Sequence, residues 1–128
     1  MKLKQIIGMT FISERIAFTD IHNAGTIFGV IYHQVLCFLN NNNVILKNRI
    51  EINRAPFPEW SKNIENESWS GKYEFDIDDK HVKCSFTNDK NKSTKIIYAN
   101  FATEDLLICE VYENGNHYGQ GKVFEKIS

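Results

Sequence analysis

From Lys72 to Asp78 the chain alternates strictly, with Tyr73, Phe75 and Ile77 set between Lys72, Glu74, Asp76 and Asp78. Side chains of an extended strand point to opposite faces in turn, so a period of two describes a strand with one face in a core and one in water. Val82, Cys84 and Phe86 repeat the pattern against His81, Lys83, Ser85 and Thr87, and Asp78-Asp79-Lys80 between the two runs has turn chemistry. The pair predicts an antiparallel hairpin. The same grammar continues from Trp69 to Ile127: a polar loop from Asn88 to Ser93, strands over Thr94 to Ala102 and Glu104 to Tyr112, and a last strand from His117 to Ile127. The turn before that last strand, Glu113-Asn114-Gly115-Asn116, is the strongest in the chain, because Asn-Gly accepts the positive φ angles of a two-residue hairpin. Ile96 and Ile97 are adjacent, as are Leu106, Leu107 and Ile108, so both faces of these strands carry apolar residues and either is a cavity wall or an interface.

The first half reads similarly. Thr26 to Leu39 is long and apolar with Gly29 as a bend, Asn40 to Asn43 is a turn, and Val44 to Asn53 sets Leu46, Ile50 and Ile52 against Lys47, Arg49 and Glu51. Between the halves, Pro56 and Pro58 precede Trp60 and Ile64, which with Phe57 stand at helical spacing, and proline suits a first helical position. A short helix from Pro58, acting as a lid, is expected there. Residues 1 to 24 fit neither period; a short helix or turn followed by a strand near Arg15 to Ile21 is the expectation. Gly119 and Gly121, two apart, leave room for a bend, a bulge or a bulky neighbour such as Trp69. The fold class is therefore all-β: one domain over residues 1–128, an antiparallel up-and-down meander of about eight strands with one short helix between the halves. Closing such a meander into a barrel removes its exposed edges, and eight strands enclose a space that side chains just fill or that holds one small ligand.

Composition narrows the partners. With 15 basic and 16 acidic residues interspersed, the chain offers no electrostatic footprint for nucleic acid or an anionic membrane. Cys37, Cys84 and Cys109 are odd in number, widely spaced and set among apolar residues, as expected of buried free thiols. Glu14 and Arg15 interrupt the apolar stretch from Ile6 to Ile12 and no small-residue cleavage site follows, which favours a folded segment and a cytoplasmic location over a secretion signal.

Four features give the stretch from Val35 to Ile127 a resemblance to the small bacterial lipocalin-like (calycin) β-barrels. They are Leu36-Cys37-Phe38-Leu39 before the asparagine turn, the helical segment Pro58 to Ile64, Trp69-Ser70-Gly71-Lys72-Tyr73 opening a strand, and the Asn-Gly hairpin before Phe124. The resemblance implies a closed barrel with a ligand-holding interior. Lipocalins proper carry Gly-x-Trp on their first strand, whereas Trp69-Ser70-Gly71 has the opposite order, so no family binding residues are carried over.

No chemical motif competes with that reading. His22, His33, His81 and His117 match no zinc spacing, no cysteine pair is short-spaced, there is no Gly-x-Ser-x-Gly and no phosphate-cradling glycine loop. Asp78 and Asp79 sit in turn context, where aspartate bonds the backbone. His33 shares a strand face with Ile31, Val35 and Cys37 and is expected as a hydrogen-bonded, buried histidine. No cofactor, metal or catalytic set is predicted. What remains is a non-enzymatic binder of a small apolar ligand held inside the barrel, with Tyr32, His33, Trp60, Tyr73, Tyr98 and Asn100 as its cavity groups. The alternative is a protein-interaction module, of inhibitor or immunity type, with a filled barrel and a working surface, and an enzyme using an unmarked barrel pocket ranks last.

Overall fold

The computed structural model describes residues 6–21, 27–54, 58–77 and 80–128; of Ile27, Phe28, Pro58, Trp60 and residues 18–21 it describes the backbone alone. The elements are β1 (Thr10–Ser13), β2 (Ile16–Ile21), β3 (Ile27–Phe38), β4 (Asn43–Arg54), α1 (Pro58–Glu65), β5 (Ser68–Phe75), β6 (His81–Asn88), β7 (Thr94–Thr103), β8 (Leu106–Glu113) and β9 (Asn116–Lys126). From β2 through β9 each strand pairs antiparallel with the next wherever the chain turns back, giving the meander that the alternation predicts. The expected turn at Asp78-Asp79, and Pro56, Phe57 and His22, lie outside the described residues.

Turn chemistry explains the hairpins that are described. Asn41 and Asn42 adopt φ of 58° and 60° between β3 and β4, and Asn114 and Gly115 adopt 49° and 84° between β8 and β9. Both turns need left-handed backbone, which asparagine and glycine enter at least cost. At the β3–β4 turn the Leu39 N–H donates to the Asn43 carbonyl at 2.8 Å, fixing the register that pairs Phe38 with Val44.

Closure depends on the shortest strand. β1 pairs with β3 along one edge, Phe11 opposite Leu36, and with β9 along the other, Phe11 opposite Lys126. Backbone bonds from Ile127 N–H to the Thr10 carbonyl (2.8 Å) and from Thr10 N–H to the Ser128 carbonyl (2.9 Å) extend that seam. Eight of the nine described strands thus form a closed antiparallel barrel, while β2 continues along β3 outside it, Ile16 opposite Tyr32. The expected strand near Arg15 to Ile21 is β2. The expected helix or turn before it is described at Ile6 to Gly8, and β1, a four-residue strand too short to show a period, stands between that turn and β2.

The barrel interior is filled at the end where β1 closes it. Phe11 meets Phe38 edge-on at 5.9 Å and Phe101 at 6.0 Å, Phe38 meets Tyr73 at 5.1 Å, and Phe75 stacks on Phe101 at 6.2 Å. These offset geometries suit the ring quadrupoles and leave fully buried Leu36, Leu107 and Phe124 to complete the layer. Cys84 and Cys109 lie in the same core, free and buried. Burial pushes the Cys109 thiol up to about 12 and the Cys84 thiol well above its ordinary range. Native protein at pH ~8 should therefore label with a thiol reagent at Cys37 alone, and all three cysteines should label in denaturant. Because the unfolded thiols ionise above about pH 8.5 while the folded ones stay protonated, the two buried cysteines should make stability fall as pH rises beyond that point.

Candidate functional site

The opposite end of the barrel is built differently. Inward-facing positions here are Tyr32 and Gln34 of β3, Trp69 of β5, Lys95 of β7 and Glu113 of β8, in register with the core residues further along each strand. Together with Tyr118 and Lys122 of β9 and with Glu67, just after α1, they bound a cavity of about 350 Å³. Most of these groups are polar.

Lys95 organises the floor. Its side chain is only 4% exposed, its Nζ lies 3.1 Å from a Glu113 carboxylate oxygen, and it sits 4.3 Å from the centre of the Trp69 ring. A buried ammonium needs such a counter-charge, and the indole face adds a cation–π contact. The Trp69 indole Nε1 is buried with no hydrogen-bond partner among the described residues. An unpaired buried donor costs about 1–3 kcal/mol. Asn48 holds the α1 end of the cavity in place, donating from Nδ2 to the Ile64 carbonyl at 3.0 Å and to Glu67 Oε1 at 3.4 Å. Burial raises the Tyr32 phenol above its ordinary value, and the neighbouring Glu67, Tyr118 and Glu113 push it the same way, so Tyr32 stays a neutral hydroxyl.

Removing Glu113 leaves the Lys95 charge buried and unpaired, whereas removing Lys95 frees a carboxylate that already touches water. Glu113→Ala should therefore cost roughly 2 kcal/mol in chemical denaturation, and Lys95→Met, whose chain still covers Trp69, distinctly less. Equal losses would contradict the pairing.

Between β1 and the cavity the barrel wall has a slot. Past Ser13 opposite Phe124 the strands diverge, β2 staying with β3 while β9 keeps β8 as its described partner. A second hollow of about 240 Å³ lies in this gap and shares Ile16, Gln34 and Lys122 with the polar cavity, giving it a side opening. On β9 the register shifts twice against β8, and Gly121 takes φ of 69°. A bulge thus bends the strand where it leaves β1. The space above Gly119 is taken by the Lys122 side chain, not by Trp69.

Of the six residues expected in the cavity, Tyr32 lines it. Tyr73 faces inward but lies in the filled end, 2% exposed, with its hydroxyl donating to the Leu39 carbonyl at 3.3 Å. His33, Tyr98 and Asn100 project from the outer face of the barrel, because they fall on the opposite phase from Leu36 in β3 and from Ile97 and Phe101 in β7. The Trp60 side chain is outside the described residues. His33 is a satisfied, partly buried histidine there: Nδ1 lies 2.8 Å from the Ser13 carbonyl and Nε2 2.9 Å from Glu51, which Arg15 also grips at 2.7 Å. These bonds, His33's foremost, hold the Glu51 carboxyl below its ordinary range.

Tyr98 and Asn100 border an open outer groove of about 460 Å³ with His81, Lys83, Ile108 and Glu110. Tyr98 and Ile108 are 45% and 41% exposed there, and Tyr112 packs edge-on to Tyr98 at 5.7 Å. Larger though it is, this groove contains no buried charge and no orphaned donor among the described residues. The inner cavity has the buried charge, and is the better candidate site. Among the described residues no cluster of three or more metal-ligating side chains occurs, and no helix is long and apolar enough to cross a membrane. No protein-family model, no curated protein and no solved structure matches the chain.

Proposed function

We propose that this protein is a non-enzymatic, cytoplasmic binding protein that takes a small ligand into the open end of its barrel. The observation that carries the reading is the buried Lys95 ammonium, paired with Glu113 and seated over the Trp69 ring, on the floor of a cavity that opens to the outside. A core position occupied by a charge weakens the fold, and holding a ligand is a reason to keep one there. The lipocalin-like pattern of the strands supports the same use of the interior. The lining favours a polar ligand over an apolar one, since an apolar molecule would strip water from Glu113 and Tyr32 and return nothing.

Isotope-labelled protein titrated with a small-molecule extract of the organism that encodes it should show amide shifts at Tyr32, Trp69, Lys95 and Glu113. Shifts clustered on Tyr98, Ile108 and Tyr112, and produced by the macromolecular fraction, would replace this reading with that of a protein-interaction module. The exposed aromatic and aliphatic side chains of that outer groove are what favour the second reading.

A further inference from the structure

Resting on the binding function just proposed, we infer that the ligand is a neutral, hydroxyl-rich small molecule such as a sugar or polyol, bound by Trp69, Tyr32 and Tyr118 over the Lys95–Glu113 pair. The charges of the cavity lead there first. Its two lysines, Lys95 and Lys122, are matched by two glutamates, Glu67 and Glu113. Lys95 and Glu113 already bind one another, and Asn48 holds Glu67. A net-charged ligand would therefore bring a charge into a nearly neutral cavity and pay its desolvation without a free deep counter-ion.

The groups left over are those of neutral recognition. Tyr32 and Tyr118 each offer a hydroxyl that both donates and accepts, and Trp69 contributes an aromatic wall. Phenol rings beside those hydroxyls suit the C–H faces of a sugar ring, and the volume of about 350 Å³ falls at the lower end of small-molecule pockets. Two amide oxygens at the rim are already engaged: Asn88 Oδ1 accepts from the backbone of Lys90 and Asn91, and Asn114 Oδ1 from that of Thr94.

The Trp69 indole N–H signal reads this directly in a Trp60→Phe protein, which has one indole. Methyl glucoside and maltose should each move the signal saturably at millimolar concentration, sodium acetate and methylammonium chloride should not, and Lys95→Met should weaken the sugar at least tenfold. Gly119→Ala, whose added methyl meets the flexible Lys122 side chain, Cε nearest, serves as the second variant and should alter sugar affinity while leaving the fold intact. A saturable shift from acetate or methylammonium alone overturns the ligand class and leaves the site in place. If none of the four compounds moves the indole, the ligand class is overturned, and the extract titration above then decides the site separately.

Discussion

Gly71→Ala should lose more than about 3 kcal/mol of stability and lower Tm by roughly 10 °C, the largest single effect expected of so small a change. A Cβ built at Gly71 would fall 1.7 Å from the Ser85 carbonyl oxygen and 2.9 Å from the Phe86 Cα, both backbone atoms of the neighbouring strand. Backbone in mid-sheet has nowhere to go, because Gly71 pairs with Phe86 on one side and Val44 on the other. The methyl must therefore break the β5–β6 ladder or push the strands apart beside Trp69 and Tyr73. Gly119→Ala is the control, since its clash is with the end of a lysine chain. Thermal melts of the two variants should differ sharply, and a Gly71→Ala protein as stable as Gly119→Ala would show that β5 and β6 do not approach so closely.

Phe11→Ala should cost about 3–5 kcal/mol, the range for a large aromatic deleted from a core. Phe11 is fully buried and is the hub of the closed end, touching both Phe38 and Phe101 from a strand only four residues long. So short a strand has few backbone bonds of its own, and packing of this ring does most to hold β1 between β3 and β9. Amide exchange in Phe11→Ala should accelerate first at Ile12, Glu125 and Lys126, the seam residues, and last in β5 to β7. Uniform acceleration across the barrel would mean that β1 does not act as a separate clasp.

The strands from β3 onward were legible because they repeat: Tyr73, Phe75, Val82, Cys84 and Phe86 alternate as a half-buried sheet requires, and all five face inward. The asparagine turns were legible from their φ demands. β1 was not, since Thr10–Ser13 is too short to carry a period and gains its strand character from two neighbours far along the chain. The site was less legible than the fold. In β7 both Ile96 and Ile97 are apolar, so alternation leaves open which phase points inward; Tyr98 and Asn100 share the phase of Ile96 and prove to be outside. Once Ile97, Ala99 and Phe101 are recognised as the inner phase, Lys95 stands out as a charge on it, two residues beyond the apolar run. Glu113 does the same beyond Leu107, Cys109 and Val111. That phase-breaking pair was the available signal, and it depends on a register that only the folded barrel supplies.

A barrel with a filled apolar end and a ligand-holding polar one is tested most directly by native mass spectrometry of the protein isolated from the organism that encodes it. Wild-type protein should carry a small non-covalent mass that Lys95→Met protein, prepared in the same way and equally folded, lacks. A bare mass for the wild type, or a bound mass that Lys95→Met retains in full, would contradict it.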